Sequence, residues 1–211
     1  MKRLFYFLLI VMTSCQVQRN INSEALTAEL DSIYYLDQKY RNQLLNTYEI
    51  DSLEIQALWN KQNAIDQKNL KRVLEIIDSV GKFPGKSLVG NKGSKAVFYV
   101  LQHAPDSIQN KYYDMIIQAG EDQELSKNLV GMYQDRYLMQ NGKPQIYGSQ
   151  IQIVKEIDHQ SGELVEVTKL WPISDTTSID SLRMWNGFGP LEDYLNAFGL
   201  SRWEEKSSYT K

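Results

Sequence analysis

Five residues interrupt apolar stripes in a pattern that points to shared chemistry: Asp37, Arg41, Asp66, His103 and Arg136. The stripe Leu26, Leu30, Ile33, Asp37, Tyr40, Leu44 puts Asp37 in a core slot, with Arg41 at i+4, within ion-pair reach. Extending Val80, Ile77, Val73 and Leu70 backwards lands on Asp66. The series Leu125, Leu129, Met132, Arg136, Met139 brings Arg136 into line beside Asp135, and Ala96, Val100 and His103 share a face. Burying such groups unpaired is expensive, so they must be paired, hydrated in a cleft, or displaced from these stripes. One polar pocket lined by all five satisfies every anomaly together. In it His103 is the candidate general acid or base, tuned by Asp37 or Asp66. Arg41 and Arg136 would give charge-assisted bonds to an anionic group. The alternative is a closed network, since buried Asp–Arg pairs often only fix helix register.

A second constellation runs from Gly142 to Gln150. It sets Gln145, Tyr147 and Gln150 near Gly148, where backbone can approach a ligand closely, and offers neutral hydrogen bonding. It reads equally as a turn feeding a strand. Other motifs fail. Gly81 to Ser87 resembles a phosphate loop, but its glycines are one residue too close and a helix precedes it, where the motif needs a strand. No His-x-x-x-His and no cysteine pair occurs, so a structural zinc site is not expected. Two carboxylates with His103 could hold a divalent metal, but nothing fixes the spacing, and neither a metal nor a cofactor is assigned. His159 falls in a predicted turn, where it should be solvated.

The elements that must position these residues are mostly helices. The spacing predicts long helices over about Glu24 to Asn46 and from Asp51 to Val80, the second with Asp51 and Glu54 as a capping box and Trp59 at the head of its stripe. A loop from Gly85 to Gly93 should lead to a short helix from Ser94 to His103. Asp106 should cap a fourth helix running to Ala119, and Ser126 a fifth ending at Asn141-Gly142. Between Gln145 and Leu170 the texture turns β-branched, with Ile151, Ile153, Val165 and Val167 flanking a hairpin turn at residues 159–162. Short helices near Ile179 to Trp185 and Pro190 to Phe198 complete the chain. The fold class is mainly α (α+β): one helical domain of about five to seven helices with a small antiparallel hairpin in the C-terminal third.

The N-terminus gives an address. Lys2 and Arg3 precede the apolar run Leu4 to Met12, and Thr13-Ser14-Cys15 forms a small-residue cleavage site whose cysteine is the only one in the chain. The run is far short of the about 20 residues a spanning helix needs. Residues 1–14 are therefore expected to be a lipoprotein signal peptide. Cys15 would be the lipidated first residue, carrying acyl chains such as palmitate. Residues 15–22 would form a tether and 23–211 a single globular domain. The expected location is the cell envelope, lipid-anchored, with the periplasmic side of an outer membrane favoured. Losing Lys2 and Arg3 moves the formal charge from −3 to −5, and no basic cluster remains, so nucleic acid is not an expected partner. Attachment would rest on the acyl chains.

Taken in order, several pieces resemble an uncharacterised bacterial family catalogued as a domain of unknown function. They are Asp37-Gln38-Lys39-Tyr40-Arg41, Asp66 with Asn69-Leu70, Gly81 with Pro84, Val89-Gly90, Gln102-His103-Ala104, Gln109 and Asp135-Arg136. They continue through Gly142-Lys143-Pro144-Gln145, Tyr147-Gly148-Ser149-Gln150, and Arg183 with Gly187 and Pro190-Leu191. The likeness spans about Leu36 to Tyr194. Ser149 stands where members more often have Thr, and Gln152 to Thr168 looks inserted. The family carries no activity, so the resemblance implies candidate residues and no reaction. Three functions stay open: an envelope module binding a small polar or anionic ligand or a partner protein, a hydrolase or transferase working through His103, and a purely structural adaptor.

Overall fold

Apolar residues at three-and-four spacing decide the architecture. The computed structural model describes residues 22–44, 52–159 and 161–201. Cys15, the expected signal segment, the expected tether up to residue 21 and Asp51, expected in a capping box, lie outside them. Among the described residues seven helices and one hairpin follow in order: α1 Ser23–Leu44, α2 Ser52–Val80, α3 Lys86–Gln102, α4 Asp106–Glu121, α5 Lys127–Gln140, β1 Ile151–Ile157, β2 Leu164–Leu170, α6 Ile179–Trp185 and α7 Leu191–Asn196. None of the helices is long and apolar enough to cross a membrane.

The main core gathers Leu30 and Ile33 of α1, Val73 and Ile77 of α2, Val97 and Leu101 of α3, Ile116 of α4, and Leu129 and Tyr133 of α5. A smaller core of Ile179, Leu191 and Leu195 joins α6 to α7. α5 lies between the two. No residue from Val130 to Gln140 is exposed, because the helix is covered by α4 on one side and by the C-terminal elements on another. The strands pair antiparallel from Ile151↔Leu170 to Ile157↔Leu164. Ile153 pairs with Thr168 and Val165 with Glu156, so Ile153 and Val165 lie on opposite faces of the ribbon.

Several expectations are corrected. Residues 86–93 are helical rather than looped: α3 starts at Lys86 and bends at Gly90, whose φ of 71° and ψ of 172° break the helix internally. The buried stripe of α2 runs Leu58, Gln62, Asn69, Val73, Ile76 and Ile77, while Trp59 is 43% exposed. A backward count from Leu70 rather than from Val73 displaced the stripe by one residue. Asp106 does not cap α4. It is the first helical residue, and its Oδ1 accepts a bond from Gln140 Nε2. Asn22, assigned to the tether, instead caps α1 by accepting the Ala25 N–H at 3.1 Å. The last helix is shorter than expected, because the chain leaves it towards Gly199, at φ 67°.

Gly90 gives a clean test of the bend. A Cβ there would meet no atom within 4 Å, so only the backbone conformation resists substitution. Gly90→Ala should cost about 1–3 kcal/mol, the penalty for a side chain in a region open essentially to glycine. Gly189→Ala, also sterically free and without a positive φ, should be close to neutral in the same urea titration.

Candidate functional site

The cleft at the α3 terminus begins with a buried carboxylate. Asp37 sits on the core face of α1 and is 1% exposed. Its Oδ1 lies 3.3 Å from His103 Nδ1 and 3.6 Å from Arg41 Nη1, and its Oδ2 accepts Gln38 Nε2 at 2.7 Å. Arg41 forks onto Asp66 of α2, Nη1 to Oδ1 at 2.9 Å and Nη2 to Oδ2 at 2.6 Å. Gln62 ties the helices together by donating to the Asp37 carbonyl at 3.0 Å and to Asp66 Oδ1 at 2.8 Å. Two carboxylates against one guanidinium leave a single negative charge beside the imidazole.

His103 follows the last residue of α3. Its backbone N–H closes onto the Tyr99 carbonyl at 3.0 Å, and its ring stacks on Tyr99 at 6.0 Å between centroids. The turn before α4 leaves its side chain 24% exposed at the rim of a cavity of about 270 Å³. Asp37, Asn63, Asp66, Gln67, Leu70 and Val100 form the walls. A neutral imidazole that donates Nδ1–H to Asp37 would keep its lone pair on Nε2, which is the tautomer a general base requires. Asn63 and Gln67 offer neutral donors and acceptors to a bound molecule. Among the described residues no hydroxyl or thiol side chain lines this cleft. Among the described residues no group of three His, Cys, Asp or Glu gathers as a ligand set for a metal ion.

The structure therefore brings together four of the five stripe anomalies, Asp37, Arg41, Asp66 and His103. Arg136 is elsewhere: with Gln150 it lines a separate cavity between α5 and the C-terminal elements. Arg41 is engaged by Asp66, so its fork is spent within the protein. Gln62, Asn63 and Gln67 were missed by the stripe argument. Their signal was available, since Gln62 lies one turn before Asp66 on the same face of α2.

The segment from Gly142 to Gln150 owes its shape to a second buried carboxylate, Asp135, which is 0% exposed. Asp135 Oδ1 accepts the N–H groups of Ile146 at 2.7 Å and Tyr147 at 3.0 Å. Its Oδ2 accepts the Ser149 N–H at 3.0 Å and Ser149 Oγ–H at 2.8 Å. From the other side Arg183, 3% exposed, donates to the carbonyls of Tyr147 at 2.6 Å and Gly148 at 3.2 Å. Gln145 closes the loop, its Oε1 accepting Gln150 N–H at 2.8 Å and its Nε2 donating to the Gln150 and Trp171 carbonyls. Tyr147 stacks on Phe188 at 5.4 Å. Gln145 and Tyr147, expected as ligand groups, thus hold the loop itself. Gly148, at φ 68°, could not carry a side chain: a Cβ would come within 2.9 Å of Ile173 Cδ1.

The sequence profile of a family of unknown function, DUF6624, matches residues 24–201, and the chain belongs to that family. No curated protein and no solved structure matches it.

Burial pushes the Asp135 carboxyl above the ordinary carboxylate range, and the N–H and O–H donors around it pull it part of the way back. A raised folded value gives stability that is complete below the unfolded value, about 3.9, and that falls as pH rises through the folded value. Ser149→Ala removes one donor to the charged form and lifts the carboxyl further. Its cost should therefore be small in acid and grow to about 1.5–3 kcal/mol at neutral pH, the worth of a bond to a charged group. Urea titrations of both proteins at several pH values check this; an equal cost at every pH would mean that the hydroxyl does not act through the carboxylate.

Proposed function

We propose that this chain is a lipid-anchored envelope protein whose α1–α2–α3 cleft binds a small polar molecule and exchanges a proton with it through His103. One observation carries the reading: an imidazole at the rim of an open cleft, its Nδ1 beside a carboxylate with almost no solvent contact. That arrangement fixes the ring and leaves Nε2 to act on whatever occupies the cleft. The walls suit an uncharged polar ligand. Asn63 and Gln67 orient it, Leu70 and Val100 exclude water along one side, and Arg41 is too fully engaged with Asp66 to hold an anion. With no hydroxyl or thiol among the described wall residues for His103 to deprotonate, the reactant that it would activate is water, or a hydroxyl of the ligand. Asp66 acts through Arg41, as a positioning residue.

Binding without turnover is the second reading, favoured by one feature. The 3.3 Å separation of His103 Nδ1 from Asp37 is long for a charge-assisted bond. Such contacts often tighten only when ligand is bound.

The cleft can be probed before any ligand is identified. Diethyl pyrocarbonate should modify both histidines of the folded full chain, His103 as well as the exposed His159, with sites assigned by mass spectrometry. An unreactive His103 beside a reactive His159 would mean that the ring is closed off and the reading falls. For activity, nitrophenyl esters and glycosides serve as uncharged test substrates. Any turnover should drop by about 10²-fold or more in His103→Gln, with the thermal midpoint little changed. Equal rates in the two proteins would assign the turnover elsewhere.

Anchoring is tested separately. Cells fed a clickable palmitate analogue should label the wild-type protein, and Cys15→Ala should abolish the label and release the protein from membranes. Labelling that survives this change would remove the lipoprotein assignment.

A further inference from the structure

The cavity that holds Arg136 is distinct from the His103 cleft. It has a volume of about 360 Å³, within the range of small-molecule sites, and lies between α5, the Ser149–Ile151 segment and the C-terminal helices. Its polar lining is Arg136, Arg183, Ser149, Gln150 and Tyr194, and among the described residues no carboxylate lines it. Its apolar lining is Met132, Ile151, Phe188 and Phe198.

Arg136 is the anomaly. Its Nε is buried and has no hydrogen-bond partner. Asp106 is the carboxylate that acts on it through space, and Asp106 Oδ1 already accepts Gln140 Nε2 at 2.8 Å. Burial pulls the guanidinium below its ordinary value, yet an arginine remains a cation at neutral pH. Arg183 adds a second positive charge to the same walls while spending its donors on the Tyr147, Gly148 and Gly189 carbonyls. The Arg183 guanidinium lies over Phe188 at 5.2 Å and over Tyr194 at 5.6 Å, which makes that side of the cavity flat and aromatic. Burial pushes the Tyr194 hydroxyl up, so it stays neutral and brings no competing negative charge.

We propose that this cavity is a binding site for a small organic carboxylate with an apolar or aromatic body. The carboxylate would take the Arg136 fork, which matches its two oxygens, with Gln150 beside it. The body would pack against Phe188, Phe198 and Met132. One unpartnered Nε–H, beside an Arg183 whose donors are spent on carbonyls, suits a singly charged head group better than inorganic phosphate.

The test uses phenylacetate on the full chain, with benzyl alcohol as the neutral analogue and inorganic phosphate as the bare anion. Phenylacetate should shift the Arg136 Nε–H resonance in nitrogen-edited NMR and saturate, while benzyl alcohol and phosphate should bind at least about tenfold more weakly. Arg136→Gln should weaken phenylacetate by about tenfold or more, a loss of 1.4 kcal/mol per decade. Arg136→Lys, which keeps the charge without the fork, should fall between. His103→Gln should leave this binding unchanged, so failure here and failure of the cleft reading are told apart. Equal binding of benzyl alcohol, a preference for phosphate, or no movement of the Nε–H signal at saturating phenylacetate would each overturn the proposal. If Arg136→Gln does not fold, the wild-type shift and the lysine variant still decide.

Discussion

The carboxylate of Asp135 is the constraint on which the C-terminal half depends. A loop that turns back over a helix exposes N–H groups with no partner in regular structure, and such groups cannot be buried unpaired. Here three of them, from Ile146, Tyr147 and Ser149, converge on one side chain of α5. The carbonyls on the opposite edge of the loop converge on Arg183 of α6. Acid on one side and base on the other, each satisfied by backbone dipoles, clamp the loop between α5 and α6 without touching one another. That clamp fixes where Ser149 and Gln150 stand, and so forms one wall of the Arg136 cavity.

The two buried carboxylates resolve the same problem differently, and the difference separates scaffold from site. Asp135 meets short, well-aligned N–H and O–H donors on both oxygens, which leaves no capacity for a ligand. Asp37 is nearly as buried, but its Oδ1 faces two side-chain partners at longer range, the His103 ring and the Arg41 guanidinium. The His103 ring is itself partly open to the cleft. A carboxylate satisfied by backbone fixes structure, whereas one satisfied by a half-exposed imidazole fixes the orientation of a group that still meets solvent.

Much of this was legible in the sequence wherever a helix had one dry face. α1 is such a helix, and Leu26, Leu30, Ile33 and Asp37 were read there correctly, as was Arg41 one turn on. Asp66 and His103 followed from similar stripes; His103 meets Asp37, and Asp66 joins it through Arg41. α5 defeated the same logic because it is covered on two sides. Its buried residues Leu129, Gly131, Tyr133 and Asp135 alternate rather than recur at helical spacing, so the stripe argument chose Arg136 and passed over Asp135. Gly131 carries a message only in three dimensions, since a Cβ there would sit 2.8 Å from the Phe188 ring. The helix from Lys86 was hidden by three glycines, Gly85, Gly90 and Gly93, which suggested a loop. Gly85 is the extended residue just before the helix, and within the helix only Gly90 departs from helical geometry, with the chain resuming its turn immediately after.

The polar seam between the two cavities shows why they share one fold. Gln109 of α4 donates to the Ala104 carbonyl at 2.6 Å, beside His103, and its Oε1 accepts Gln140 Nε2 at 3.0 Å. Gln140 lies one turn beyond Arg136 on α5. The α3–α4 bend that sets His103 at its cleft is thus bonded, through two glutamines, to the helix face that carries Arg136. Hydrophobic packing alone would let α4 and α5 slide by a fraction of a turn, because apolar contacts are not directional. The Gln109 amide is buried and has fixed geometry, and a slip would cost it the Gln140 partner, at about 1–3 kcal/mol. The seam therefore fixes the register of α5 against α4, and that register determines which helix face meets the loop clamped by Asp135. The positions of the histidine and of the isolated arginine are then two consequences of a single alignment.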